Sequence, residues 1–231
     1  MPSRYLILFL IIASFTGCDF TSADTYLQES KLAVEREDYR GAIELLNKAI
    51  RKNSTLKEAY LQRGLCYQKI VRKDSAISDF KTLLGLDSSN TSAWYYTGLC
   101  KYSQDKFNEA IRSYNRALLT KGITNLSDTS AFTNIADTNT NGIYKATAFD
   151  IPVAQLYYQR GLAYYATDQI LKAYYDFKTC TAQKYNLDEC SYLSSLCRIA
   201  INKSKNDSDA VNINSANEKN IAKYCLSHLC R

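Results

Sequence analysis

A fixed interval of 34 residues runs through the chain and predicts a repeat architecture. Ala-Ile pairs mark this interval, since 76 minus 42 and 110 minus 76 are both 34. Glycines keep it as well, because 98 minus 64 is 34. A fourth copy follows 63 residues after Ala110, which is one period plus an insert of 29 residues. The positions are Ala42-Ile43, Ala76-Ile77, Ala110-Ile111 and Ala173, with Gly64, Gly98 and Gly161.

The small residues of each copy predict helices that pack closely in pairs. Glycine inside a helix costs about 1 kcal/mol relative to alanine, so glycine at three equivalent positions requires a packing reason. A large apolar side chain stands four residues after each alanine and continues the same helical face. These residues are Leu46, Phe80, Tyr114 and Phe177. The pattern therefore predicts two antiparallel helices in each copy.

Residues 90–122 carry the pattern most completely. They resemble a tetratricopeptide repeat (TPR) in the positions of Trp94, Gly98, Tyr102, Phe107, Ala110, Tyr114 and Ala117. The resemblance implies an all-α protein, a right-handed TPR solenoid of about four helix-turn-helix repeats with C-terminal capping helices. Repeat 1 departs most from the family, with Ser30 at the glycine position.

Charged residues occur in matched pairs within two of the repeats. Arg63 precedes Asp79 by 16 residues, and Arg160 precedes Asp176 by the same interval. Repeat 3 has a neutral pair at these positions, Thr97 and Ser113. We predict an ion pair between the two helices of repeat 2 and of repeat 4, worth about 1 kcal/mol or less if it is exposed. Coincidence is the alternative.

The first eighteen residues have the layout of a secretory signal peptide. Arg4 is followed by an apolar run from Tyr5 to Ala13 and then by Phe-Thr-Gly-Cys, which ends at Cys18. An apolar helix of roughly 13 residues reaches only about 20 Å, short of the roughly 30 Å hydrocarbon core of a bilayer. The residues before Cys18 resemble a bacterial lipobox, which implies cleavage there and lipidation of Cys18. An ordinary signal peptide with an incidental cysteine is the alternative.

Composition and period together divide the chain into eight segments. They are a lipoprotein signal peptide (1–17), the lipidated cysteine with a short tether (18–22), TPR repeats 1 to 3 (23–122), a polar insert loop (123–153), TPR repeat 4 (154–187), a capping helix (188–203), a linker (204–217) and a C-terminal helix (218–231). The insert is rich in Thr, Asn, Ser and Asp, which favour turns. It is either a mobile loop that a partner orders or a loop packed against the repeats.

The resemblance also implies a concave groove, which the first helix of each repeat lines in this family. Residues at the groove positions become apolar and aromatic toward repeats 3 and 4, which suits an apolar peptide or helix. We expect the partner-binding residues to be Leu61, Leu65, Tyr95, Leu99, Tyr102, Tyr158, Leu162 and Tyr165. The alternative is that the insert or the C-terminal helices cover this stripe. The outer groove lacks the Lys, Arg and Asn of the family's carboxylate clamp, which argues against chaperone C-termini as partners.

Three of the eight cysteines occupy core positions of the repeats. Cys66 and Cys100 stand at one equivalent position, where repeat 4 has Ala163. Cys180 stands where the other repeats have Ala49, Leu83 and Ala117. We interpret all three as small buried residues.

Four further cysteines lie in the C-terminal segments, where an oxidising compartment would allow disulfides. The spacing within each predicted helix exceeds the usual reach of a disulfide. An antiparallel clasp would instead join Cys190 to Cys230 and Cys197 to Cys225. The alternatives are free packed thiols, or a zinc site at Cys225, His228 and Cys230 that lacks the usual ligand spacing.

Enzyme chemistry has no support in the sequence, and we expect no metal and no cofactor. His228 is the only histidine, and no Gly-rich phosphate loop, nucleophile elbow or HExxH motif occurs. The formal charge of +6 is spread along the chain, which is untypical of nucleic-acid binding.

We therefore predict a lipid-anchored TPR scaffold in a bacterial cell-envelope complex, at the periplasmic side or the cell surface. Its partner would be a protein whose peptide or helix enters the groove. One alternative is a structural or self-associating envelope lipoprotein with an occluded groove. Another is a thiol- or metal-dependent sensor that uses the C-terminal cysteines.

Replacement of the lipidation site tests the anchor. Cys18→Ala should carry no lipid, because the modification requires this thiol. Metabolic labelling of cells with a fatty-acid analogue measures the effect, and Cys66→Ala, which changes a core cysteine, should be labelled like the wild type. Label that persists in Cys18→Ala would contradict the lipobox interpretation.

Overall fold

The structure is a computed structural model that describes residues 21–123 and 151–206, and these ranges contain helices and turns without a strand. The all-α prediction is confirmed within them. The helices are α1 (Ala23–Glu35), α2 (Tyr39–Lys52), α3 (Lys57–Lys69), α4 (Lys73–Leu86), α5 (Thr91–Tyr102), α6 (Phe107–Thr120), α7 (Val153–Ala166), α8 (Ile170–Ala182) and α9 (Leu187–Asn206). The predicted signal peptide, most of the insert, most of the linker and the last helix lie outside the described residues, while the first three residues of the predicted linker, 204–206, belong to α9.

The chain divides into two compact units, Met1–Asp105 and Lys106–Arg231. The first unit contains α1 to α5, and each of these helices packs against the next one along the chain. The second unit contains α6 to α9, which pack in the same consecutive manner. This packing is the helix-turn-helix arrangement that the repeat predicts.

The turn between the two helices of a repeat has one recurring backbone conformation. A residue in the left-handed region follows the end of each first helix by two or three residues, with φ between 58° and 63°. These residues are Glu37, Val71, Asp105 and Asp168. In the turns at Glu37, Val71 and Asp168, the N–H of the next residue donates to a carbonyl five residues earlier, as from Gln169 to Tyr164 at 2.9 Å. Glu37, Val71 and Asp168 each lie between two helices that pack against each other, and this packing holds the turn although none of the three is glycine.

Two glycines lie where a first helix approaches its second helix most closely. A Cβ on Gly64 of α3 would stand 2.5 Å from Cε1 of Phe80 on α4. In the second unit, a Cβ on Gly161 of α7 would stand 2.8 Å from Cε1 of Phe177 on α8. Both phenylalanines are fully buried. The packing reason for these glycines is therefore the aromatic ring of the second helix.

The alanines that mark the period are fully buried in both units. They are Ala42, Ala76, Ala110 and Ala173. At the start of the first unit a core cluster joins α1, α2 and α3 around Leu27, Leu46 and Ala59. Burial of such side chains is the main term that stabilises helix pairs of this kind.

Arg63 joins three helices of the first unit. Its Nε and Nη2 donate from α3 to the carboxylate of Asp79 on α4, at 2.8 and 2.6 Å. Its Nη1 donates to Oδ1 of Asn47 on α2, at 2.6 Å. The bidentate geometry fixes the guanidinium in one orientation.

Arg160 makes the same contacts in the second unit. It donates from α7 to both carboxylate oxygens of Asp176 on α8, at 2.8 and 2.7 Å, and to Oδ1 of Asn115 on α6, at 2.7 Å. Burial lowers the pKa of the Arg160 guanidinium, but the Asp176 carboxylate offsets this effect and the net pKa is raised. Burial also raises the pKa of Asp176, and the attraction of Arg160 opposes that shift. Each charge is therefore stable in the interior only with its partner.

The two asparagines are partners that the sequence analysis missed. They are two periods apart, because 115 minus 47 is 68. The position between them, one period after Asn47, holds Lys81. Repeat 3, which follows Lys81, has the neutral Thr97 and Ser113, whose hydroxyls donate to carbonyls of their own helices. The arginine and the aspartate of repeats 2 and 4 therefore each come with an asparagine in the preceding repeat. Repeat 3 lacks the arginine and the aspartate, and the repeat before it lacks the asparagine.

Alanine at Gly64 should destabilise the first unit by about 1–3 kcal/mol, because its Cβ overlaps the ring of Phe80. The matched control is Gly85→Ala in α4, where a Cβ meets nothing within 4 Å. That change should stabilise the helix by about 0.5–1 kcal/mol. Urea unfolding followed by fluorescence of Trp94, the only tryptophan, reports on this unit. Equal effects of the two substitutions would refute the close contact.

Asp176→Asn should cost about 3–5 kcal/mol of unfolding free energy, because it leaves the Arg160 charge buried without a carboxylate. Asp79→Asn should cost less, since the Arg63 side chain is 18% exposed and that of Arg160 only 4%. Urea unfolding of the two variants beside the wild type measures the difference. A larger loss for Asp79→Asn would contradict this order.

Candidate partner-binding face

The predicted groove helices of the first unit lie next to one another. α3 packs against α5, and Lys31 on α1 is joined to Glu58 on α3 by an ion pair with an Nζ to Oε1 distance of 2.8 Å. Residues at intervals of three and four lie on one side of a helix. The predicted groove residues of α3 and α5 follow these intervals, and we call them the first-unit face: Leu61, Leu65, Tyr95, Leu99 and Tyr102.

The first-unit face has a buried part and an accessible part. Leu61 is 5% exposed and Tyr95 is 3% exposed, so these two side chains belong to the core. The ring of Tyr95 also packs edge-to-face against Tyr96, with centroids 5.1 Å apart. Leu65, Leu99 and Tyr102 are half-buried and form the accessible part.

Charge is concentrated toward α1 and the ends of the helices. Asp24, Glu35 and Lys69 are exposed. The Lys31 and Glu58 side chains are 35% and 41% exposed, so their ion pair contributes about 1 kcal/mol at most. Within the first unit the groove positions therefore change from charged on α1 to apolar on α5.

The second unit covers its predicted groove residues more fully. On α7, Tyr158 is 7% exposed and Leu162 is 2% exposed, whereas Tyr165 is half-buried. The Tyr158 hydroxyl donates to Oε1 of Glu189 on α9. Its ring lies 6.1 Å from that of Tyr185, in the turn before α9. A C-terminal helix thus covers the predicted groove at Tyr158. This agrees with the alternative prediction that C-terminal helices cover the apolar groove residues.

Helix α9 packs against α8 and begins one residue before the predicted capping helix. Its Cys190, Leu193 and Cys197 are buried. Leu196 is half-buried and Ala200 is exposed. Two large side chains on the outer side are exposed, Tyr192 at 57% and Ile199 at 62%.

The cysteines of the described residues are all buried and carry free thiols. Burial raises the pKa of Cys66 and of Cys100 to about 11 and that of Cys197 to about 12, so these thiols are weak nucleophiles at neutral pH. Cys225 and Cys230 lie outside the described residues, and the clasp with Cys190 and Cys197 stays a prediction. The predicted lipidation site Cys18 and the zinc ligand His228 of the alternative prediction lie outside them too.

The described ranges lack both a metal-binding cluster and a membrane-spanning helix. Residues 21–123 and 151–206 hold no cluster of three or more His, Cys, Asp or Glu side chains with the spacing of a metal site. In the same ranges, no helix combines the length and the apolar character needed to cross a membrane.

Comparison with known proteins identifies the repeats. A family model described as "Anaphase-promoting complex, cyclosome, subunit 3" matches residues 35–117. Superkiller complex protein 3 of Homo sapiens is 31% identical over 101 residues, which are 43% of this chain and 6% of that protein. Small glutamine-rich tetratricopeptide repeat-containing protein 2 of Mycosarcoma maydis is 28% identical over 100 residues, 43% of this chain and 28% of that protein. The chain thus matches less than a third of the length of either relative.

A solved structure resembles a larger part of the chain. The crystal structure of MamA protein superposes with a TM-score of 0.54 and 16% sequence identity, and the match covers 83% of this chain and 97% of that one. At this identity the likeness shows the fold. The described helices therefore have the fold of TPR helix pairs.

Proposed function

We propose that this protein is a lipid-anchored TPR scaffold that binds an apolar peptide or helix of a partner protein in a bacterial cell-envelope complex. The observation that carries the proposal is the first-unit face. There, Leu65, Leu99 and Tyr102 remain partly accessible on two helices that pack side by side. Partly exposed apolar side chains above a buried floor are typical of a peptide-binding groove.

The chemistry of the first-unit face defines the ligand. Leu61 and Tyr95 supply a rigid, buried floor, and the accessible residues are two leucines and a tyrosine. No lysine, arginine or asparagine stands among these five positions, so a free carboxylate would find no cationic partner there. An amphipathic helix or an extended segment with apolar side chains at regular spacing fits this surface.

The polar residues beside the apolar positions supply orientation. Lys69 at the end of α3 and the Lys31–Glu58 pair flank the first-unit face toward α1. Charges at the rim of an interface change the association rate and the choice of partner more than the affinity. A partner segment with a charged end would therefore bind in one direction.

The proposed lipid anchor places this surface near the bilayer. Residues 19–22 alone separate Cys18 from the start of α1. A fully extended tether of this length spans about 17 Å. A partner bound to the first unit would therefore be held close to the membrane surface.

The contacts of α9 support the alternative of an occluded groove at one position, Tyr158. Because Glu189 and Tyr185 cover Tyr158, we assign no partner site to this part of α7. A self-associating protein with a filled groove would have the first-unit face covered in the same way by a second copy.

A crosslinking pull-down from native membranes tests the proposal. The face variant is Leu65→Gln, Leu99→Gln, Tyr102→Ala. Its matched control is Leu32→Gln, Leu86→Gln, since both leucines are exposed elsewhere in the first unit. A partner should be reduced roughly tenfold or more in the face variant alone, because loss of interface anchors usually costs at least about 1–2 kcal/mol. Equal melting temperatures would show that both variants are folded.

Other outcomes contradict the proposal. If the face variant and the control recover the same partners, the groove is not the site. If the main crosslinked species is a second copy of this chain, and the face variant removes it, the self-associating alternative holds.

A further inference from the structure

The turn between α8 and α9 brings two thiols of different helices together. Cys180 lies near the end of α8 and Cys190 near the start of α9, and neither has any exposed surface. Helices α8 and α9 pack against each other, and a side-chain hydrogen bond to Cys190 is the main cause of the raised pKa of Cys180. The sequence assigned Cys180 to the core and Cys190 to a clasp with Cys230, so this pairing is a different one.

Backbone hydrogen bonds hold both cysteines in place. The N–H of Tyr185 donates to the carbonyl of Cys180 at 3.1 Å, and the N–H of Cys190 donates to the carbonyl of Asn186 at 2.9 Å. The Cys180 thiol also donates to the carbonyl of Ala154 on α7, at 3.2 Å. The contact between the thiols is therefore set by the turn and by the packing of three helices.

We propose that Cys180 and Cys190 form a disulfide bond that fastens α9 to the last repeat. Two S–H bonds break and one S–S bond forms. The two protons and two electrons reduce an acceptor disulfide, such as glutathione disulfide or the disulfide of an oxidoreductase, to two thiols. The reaction proceeds by thiol–disulfide exchange through a mixed disulfide.

Burial determines when this bond forms. The thiolate is the attacking species, and the hydrogen bond to Cys190 together with burial raises the pKa of Cys180 above its usual range. In the docked state both thiols are also closed to an acceptor disulfide. The bond therefore forms during folding, before α9 packs against α8, and a chain that folds while reduced stays reduced.

The pairing excludes half of the clasp predicted from the sequence. Once Cys190 is bonded to Cys180, it cannot bond to Cys230. The bond between Cys197 and Cys225 is unaffected.

The chain itself supplies the conservative substitution at both positions. Ala49 and Ala117 occupy the repeat position of Cys180, and both are fully buried. Cys190 follows Ala93 by 97 residues, which is two periods plus the 29-residue insert. Ala93 is fully buried as well. Cys180→Ala and Cys190→Ala should therefore keep the fold.

Refolding of the full chain tests the bond. The reduced, denatured protein is refolded with glutathione and glutathione disulfide, blocked with N-ethylmaleimide, denatured and digested with trypsin. Cleavage after Lys178, Lys184 and Arg198 separates the two cysteines into peptides 179–184 and 185–198. Mass spectrometry should find these two peptides linked. The Cys180→Ala variant should lack the linked pair, and Cys197→Ala should keep it, which assigns the bond to Cys190.

Two results would overturn the proposal. One is maleimide on Cys180 in most of the oxidatively refolded chain. The other is a link between peptides 185–198 and 224–231 in the Cys197→Ala variant, where Cys190 is the only cysteine of peptide 185–198. As a second readout, the oxidised Cys197→Ala variant should melt at a higher temperature than its reduced form, and a variant with both Cys180→Ala and Cys197→Ala should show no such shift.

Discussion

The contact between an aromatic ring and a bare helix backbone is the constraint on which the rest of this structure depends. Phe80 lies on Gly64 in the first unit, and Phe177 lies on Gly161 in the second. Because glycine lacks a Cβ, the ring can reach the backbone and the two helix axes come closer together. At that separation a guanidinium on the first helix reaches a carboxylate on the second without a bridging water. The ion pairs of Arg63 and Arg160 therefore accompany this close approach, whereas repeat 1, with Ser30 at the glycine position, forms the helix pair and the turn without it.

The placement of charge follows from the same packing. Arg63 and Arg160 lie one residue before the glycines, so their side chains enter the helix pair beside the aromatic ring. Each is enclosed by an aspartate and an asparagine on neighbouring helices. These charges are paired inside the repeats, whereas the five residues of the first-unit face are apolar or aromatic. A binding surface for an apolar segment is thus compatible with a chain in which nearly a quarter of the residues are charged.

The period made most of the fold predictable, because the small and aromatic residues that mark it are the ones that pack. The intervals between Arg63 and Asp79 and between Arg160 and Asp176 were also visible, since each pair lies within one repeat. Asn47 and Asn115 were missed because each accepts a hydrogen bond from an arginine of the following repeat. A single asparagine is also common on helix surfaces. The cover over Tyr158 could not be predicted, because it depends on where α9 packs. The contact of Cys180 with Cys190 depends on a turn whose backbone the sequence does not determine.

The bond from each arginine to the preceding repeat gives the repeats a fixed order. Asn115 belongs to repeat 3 and serves the arginine of repeat 4, while Lys81 holds the same position in repeat 2. Loss of a single repeat by recombination, with repeat 4 joined directly to repeat 2, would place Lys81 beside the buried Arg160. Two cations would then share a site that has one carboxylate. The repeats have similar helices and look interchangeable. Electrostatic interactions between neighbouring repeats nevertheless restrict how many copies the gene can gain or lose.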